Sequence, residues 1–179
     1  MAISNKTYNN VINTLKNVGN LHEQITTVTS GDIWQVNLEK NELFPVMHIN
    51  PVNVQTGQSQ LNYNFQIFVM DLVSEDENWT ESNFQSANFL NNNQEVLSET
   101  LQICIDIISM LRQGVYQSSQ DVDDINSPEY WVEQEYSLEP FSERFDNEVT
   151  GWVFTINVLV QNDFQSCEIP VIAPQGAGE

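Results

Sequence analysis

Hydrophobic and polar positions alternate most cleanly in residues 152–161. Trp152, Phe154, Ile156, Val158 and Val160 fall on one face of an extended chain, and Val153, Thr155, Asn157, Leu159 and Gln161 on the other. A period of two with one dry face predicts a strand. Asp146, Asn147 and Gly151 place turn chemistry ahead of it, so the chain is expected to double back from a lead-in strand over residues 130–141. Residues 61–73 repeat the pattern: Leu61, Tyr63, Phe65, Ile67 and Val69 alternate with Asn62, Asn64 and Gln66, and then Phe68 and Met70 make both faces apolar. A third run, residues 43–49, is bounded by Pro45 and Pro51. Proline donates no ladder hydrogen bond, so this strand lies at an edge or begins at Val46. Gly57 marks the hairpin between these two runs, and residues 32–39 read as a short strand or an extended arm.

Two stretches change to the helical period. Tyr8, Val11, Ile12, Leu15 and Val18 form a narrow stripe, with Ser4 placed to cap it and Gly19-Asn20 to stop it. In residues 21–30, Ile25 and Val28 would prolong this helix, while Thr26, Thr27 and Thr29 favour extended chain. The longest helix is expected over residues 88–113. Its stripe is Leu97, Leu101, Cys104, Ile105, Ile108 and Leu111, widened by Ile103 and Ile107, with Gly114 at the stop. The expected class is α+β: an antiparallel sheet of about four to five strands, a meander plus a C-terminal hairpin, packed by the N-terminal helix and the long helix. A length of 179 residues suits one domain. Residues 1–165 are expected to form it, with 166–179 as a loose Pro- and Gly-rich tail.

Charge changes the picture more than any motif. Twenty-five acidic residues stand against five basic ones, a net charge of −20, and no Lys or Arg lies between Lys40 and Arg112. Phosphate binding needs clustered cations, so tight nucleic-acid binding is excluded. No apolar run is long enough for a membrane helix, and MAISNKTYNN lacks the basic-then-apolar order of a secretory leader. Neither a membrane nor an oxidising compartment is expected, and Cys104 and Cys167 read as reduced structural thiols.

Candidate chemistry is sparse. Asp121, Asp123 and Asp124 resemble part of a calcium loop but lack its glycine and its closing glutamate, so a solvated acidic loop is the reading. A second acidic loop carries Glu75, Asp76 and Glu77. His22 and His48 have no metal-ligand neighbours at the right spacing. With no phosphate loop, nucleophile elbow or recognisable carboxylate pair, no catalytic residue, metal or cofactor is expected. Trp34, Trp79 and Trp131 lie in or beside polar segments, where packing is the plain role and a partner contact the sharper one.

Three segments resemble the tail-terminator, tail-completion and neck-ring proteins of tailed bacteriophages: GDIWQVNLEKNELFPVMHINP, LNYNFQIFVMDLV and EPFSERFDNEVTGWVFTINVLVQND. The last carries an F-(D/E)-N…GW pattern in Phe145, Asp146, Asn147, Gly151 and Trp152. The order of helix, meander, long helix and final hairpin is similar too. The acidic loops and the acidic tail depart from the family pattern. The resemblance implies a non-enzymatic virion subunit, assembled in the host cytoplasm, that closes into a homo-oligomeric ring at the head–tail junction or the tail end. A hexamer is favoured over a dodecamer. Other neck, connector or tail proteins are the implied partners, and the two acidic loops, with Glu75, Asp76, Glu77, Asp121, Asp123 and Asp124, are expected to face the lumen or neighbouring subunits, so that DNA passes through the ring past carboxylates that repel it. The rival readings are a small acidic binding module, such as a DNA-mimic inhibitor, and a carboxylate hydrolase.

Overall fold

A computed structural model describes residues 7–32, 43–73, 92–113, 130–132, 136–144 and 148–161. Helix α1 (Thr7–Leu21) precedes strand β1 (Thr27–Ser30), and β2 (Val46–Thr56) and β3 (Gln60–Leu72) form a hairpin. Helix α2 (Asn93–Gln113) and strands β4 (Tyr130–Val132), β5 (Leu138–Arg144) and β6 (Glu148–Gln161) follow. The class is α+β, as expected, with one sheet and two helices among the described residues.

The strands lie in the order β1-β2-β3-β6-β4, with β5 also beside β6. β3 is central, pairing with β6 from Gln60↔Gln161 to Leu72↔Val149. Its alternation is explained by what covers each face. Tyr63, Phe65, Ile67 and Val69 are buried in one core with Val11, Leu15 and Val18 of α1 and Ile103, Cys104 and Ile107 of α2, so both helices cover the same face. Burying each large apolar side chain there contributes about 1.5–3 kcal/mol. At one end of the opposite face, Phe44, Val46, Met70 and Val149 form a second cluster, and Phe68 meets Phe141 edge-on at 5.6 Å. That cluster is why both faces of β3 turn apolar after Ile67.

Several expectations need correction. The sheet is mixed, because β1 runs parallel to β2, from Thr27↔Val46 to Ser30↔Ile49. Residues 31–45 give the chain the length that a parallel return requires. β2 does begin at Val46, but β1 and β3 flank its first half; Pro51 falls beyond the last β1 partner, at a register shift between Pro51 and Asn53. The single lead-in strand over residues 130–141 is two strands. Val132 faces Val158 and Leu138 faces Phe154, so six steps of chain meet four steps of β6 and continuous pairing is impossible.

Two glycines act differently from their expected roles. Gly19 does not stop α1, which continues to Leu21. A Cβ at Gly19 would lie 2.6 Å from Met47 Sδ and 2.8 Å from a Val28 methyl, so its bare Cα lets the helix sit close on β1 and β2. Gly151 is not in the turn but inside β6, between Met70 and Phe141. A Cβ there would strike the Val69 carbonyl oxygen and lie 2.8 Å from Met70 Cα. Phe145, Asp146 and Asn147 lie outside the described residues.

Helix α2 is rotated relative to its expected stripe. Val96, Thr100, Ile103, Cys104, Ile107 and Leu111 are buried, whereas Ile105 is 45% exposed and Leu97, Leu101 and Ile108 are only half-buried. Apolar residues occupy most of this helix's circumference, so periodicity alone could be satisfied by two neighbouring faces. Trp152 helps select one, its Nε1–H donating to the Leu97 carbonyl at 2.8 Å.

Candidate functional site

Trp34, Trp79, Glu75, Asp76, Glu77, Asp121, Asp123 and Asp124 lie outside the described residues, as does Cys167. Trp131 belongs to β4, opposite Leu159 of β6.

Both histidines have structural partners. His22 accepts a hydrogen bond at Nδ1 from the Gln24 backbone N–H at 3.2 Å, which leaves Nε2 to reach Asp106 Oδ2 at 3.5 Å, joining the end of α1 to α2. His48 is buried. Its Nε2 lies 3.0 Å from the Gly31 carbonyl oxygen, an acceptor only, so Nε2 carries the proton and Nδ1 accepts from the Thr29 hydroxyl at 2.7 Å. Gly31 adopts a φ of 129°, and its N–H donates to the Ile49 carbonyl at 3.0 Å. This imidazole thus ties β1 to β2.

Burial lowers the His48 pKa from its ordinary value, outweighing the Gly31 carbonyl and the Asp32 charge, which act to raise it. The sign follows directly. Between the unfolded value near 6.5 and the lower folded value, the unfolded chain binds a proton that the native state refuses. The contribution of His48 to stability is complete above that window and declines as pH falls through it, by up to about 1.4 kcal/mol per pH unit. Urea unfolding from pH 7.5 to 5 should show this slope in the native protein and its loss in His48→Gln. Equal slopes in the two proteins would refute the assignment.

No group of three or more potential metal ligands occurs among the described residues. Burial pushes the Cys104 thiol up to about 12, which leaves it protonated and unreactive. Burial likewise raises the Asp71 carboxyl, against the Leu72 N–H that donates to it at 2.7 Å, with the Glu99 charge adding to the rise. A pocket of about 80 Å³ is lined by Tyr8, Pro51, Val52, Val54, Tyr63 and Phe65 together with Asn53 and Asn64; none is a carboxylate. No helix among the described residues is long and apolar enough to cross a membrane.

Two surface features of the sheet stand out among the described residues. Opposite the helices, three successive rows carry amides and hydroxyls: Gln55–Asn62–Leu159, Asn53–Asn64–Asn157 and Asn50–Gln66–Thr155. Asn50 Nδ2 donates to Gln66 Oε1 at 3.2 Å, and Asn64 Nδ2 donates to Asn53 Oδ1. These rows contain no charged residue, a contrast with a chain of net charge −20. On the β2 side, Val52, Val54 and Tyr8 are 51%, 47% and 43% exposed, a small apolar patch at the rim of the pocket. In the sequence the amides read as the wet side of a strand and nothing singles out this patch; two valines within NPVNVQT are its one visible signal. Compared with known proteins, the chain matches no family model and no curated protein.

Proposed function

We propose that this chain is a structural virion subunit of a tailed bacteriophage, a ring-forming tail-terminator, tail-completion or neck component. The carrying observation is the ordered resemblance of three segments that coincide with the fold's framework. The first half of β2, nearly all of β3 and all of β6 come from those segments, and the Gly151-Trp152 pair within them acts structurally, since the glycine admits β3 and the tryptophan holds α2. A motif of this kind specifies a scaffold and needs no catalyst. The amide rows also weigh against a DNA mimic built on that sheet face, since mimicry requires a continuous array of carboxylates.

In this reading the subunit contributes surfaces, not chemistry. Its ring surrounds the DNA path, and its acidity keeps phosphates from adhering to the wall. The test is the mass of the purified full chain in solution, with negative-stain images of the same sample. A closed hexamer or dodecamer is expected. A compact monomer at every concentration would overturn the reading in favour of the acidic binding module.

A further inference from the structure

At one end of the sheet the order narrows to β2–β3–β6–β4. Val54 shares a row with Tyr63, Val158 and Val132, and Thr56 shares one with Leu61, Val160 and Tyr130. All three pairings are antiparallel, so the outer strands β2 and β4 run in opposite directions. Among the described residues neither outer edge is paired here, because β1 accompanies β2 only as far as Ile49.

An even number of alternating strands has a consequence for assembly. A copy related by rotation about a common axis keeps its strand directions relative to that axis. Its β2 therefore meets a neighbour's β4 antiparallel, and the ladder pattern continues from one subunit into the next. An odd number of strands would bring parallel edges together instead.

The chemistry of the two edges agrees. Residues 52–56 and the three residues of β4 contain no Asp, Glu, Lys or Arg, so the like-charge repulsion expected between two copies of net charge −20 is reduced there to the Glu129 and Glu133 that flank β4 in the sequence. Of the other outer strands, β1 has only four residues, and β5 carries Glu139, Pro140 and Glu143, residue types that block edge pairing. The exposed Val52 and Val54 are apolar surface that the second copy would cover.

We propose that residues 52–56 of β2 pair head to tail with β4 of a second copy, so that a continuous antiparallel sheet joins neighbouring subunits. This rests on the ring reading and specifies its subunit contact. The test is disulfide trapping in the full chain carrying Cys167→Ser, since Cys104 is buried and its thiol stays protonated. Thr56→Cys is combined in turn with Tyr130→Cys, Trp131→Cys or Val132→Cys. For at least one combination, mild oxidation should give a ladder of covalent oligomers, while Thr56→Cys alone gives none. A single covalent dimer from Thr56→Cys alone would mean that β2 pairs with itself, and would overturn the proposal. Rings visible by negative stain without any ladder would overturn it too, yet leave the ring reading standing. A ladder that extends into open filaments would support the pairing while removing the ring.

Discussion

Gly151→Ala is expected to destabilise the protein by about 3–5 kcal/mol, a large part of the total stability of an ordinary domain. The added methyl would meet the Val69 carbonyl oxygen and Met70 Cα, and backbone in the middle of a sheet cannot turn aside as a side chain can. Relief requires spreading β6 from β3, which breaks the longest ladder in the sheet. Alanine's lower backbone entropy in the unfolded chain, worth under about 1 kcal/mol, is too small to offset this. Gly57→Ala is the control. Its methyl would meet chiefly the Gln60 side chain, with Cγ at 2.9 Å, in an exposed hairpin where that side chain can move. Urea unfolding followed by tryptophan fluorescence should place Gly57→Ala within about 1 kcal/mol of the native protein. If both variants unfold at the same denaturant concentration, the close approach at Gly151 is not a determinant of the fold.

Ile107→Ala should cost about 2–5 kcal/mol, whereas Ile105→Ala should change stability by less than about 0.5 kcal/mol. The two isoleucines are two residues apart on α2, identical in chemistry and opposite in environment. Ile107 is fully buried between the helix and the sheet; Ile105 is nearly half exposed. Truncating Ile107 loses the transfer free energy of its methyl groups and leaves a cavity in the main core cluster. Both variants gain similar alanine propensity, so that term cancels in the comparison. Equal costs would mean that α2 packs through the stripe expected from periodicity, with Ile105 inward.

Much of the fold is legible in the chain itself. The alternation in β3 and β6 marks both strands and their dry faces, because a pleated strand assigns side chains to its faces strictly by parity. Helix α1 and its buried Val11, Ile12, Leu15 and Val18 follow from a narrow stripe with a single solution. Where local pattern admits several solutions, packing chooses among them. The broad apolar surface of α2 fits more than one rotation, and contact with β3 and β6, with Trp152 bonded to Leu97, selects that of Ile103 and Ile107. Gly19 and Gly151 look like stop and turn signals in one dimension, since glycine's need for space is visible only when another strand or helix occupies it. The parallel β1, the division of the lead-in strand into β4 and β5, and the edges at residues 52–56 and β4, unpaired among the described residues, all depend on which strands lie side by side. Strand neighbours are set by long-range hydrogen bonding and burial of the common face, and residue order along the chain carries no direct record of them.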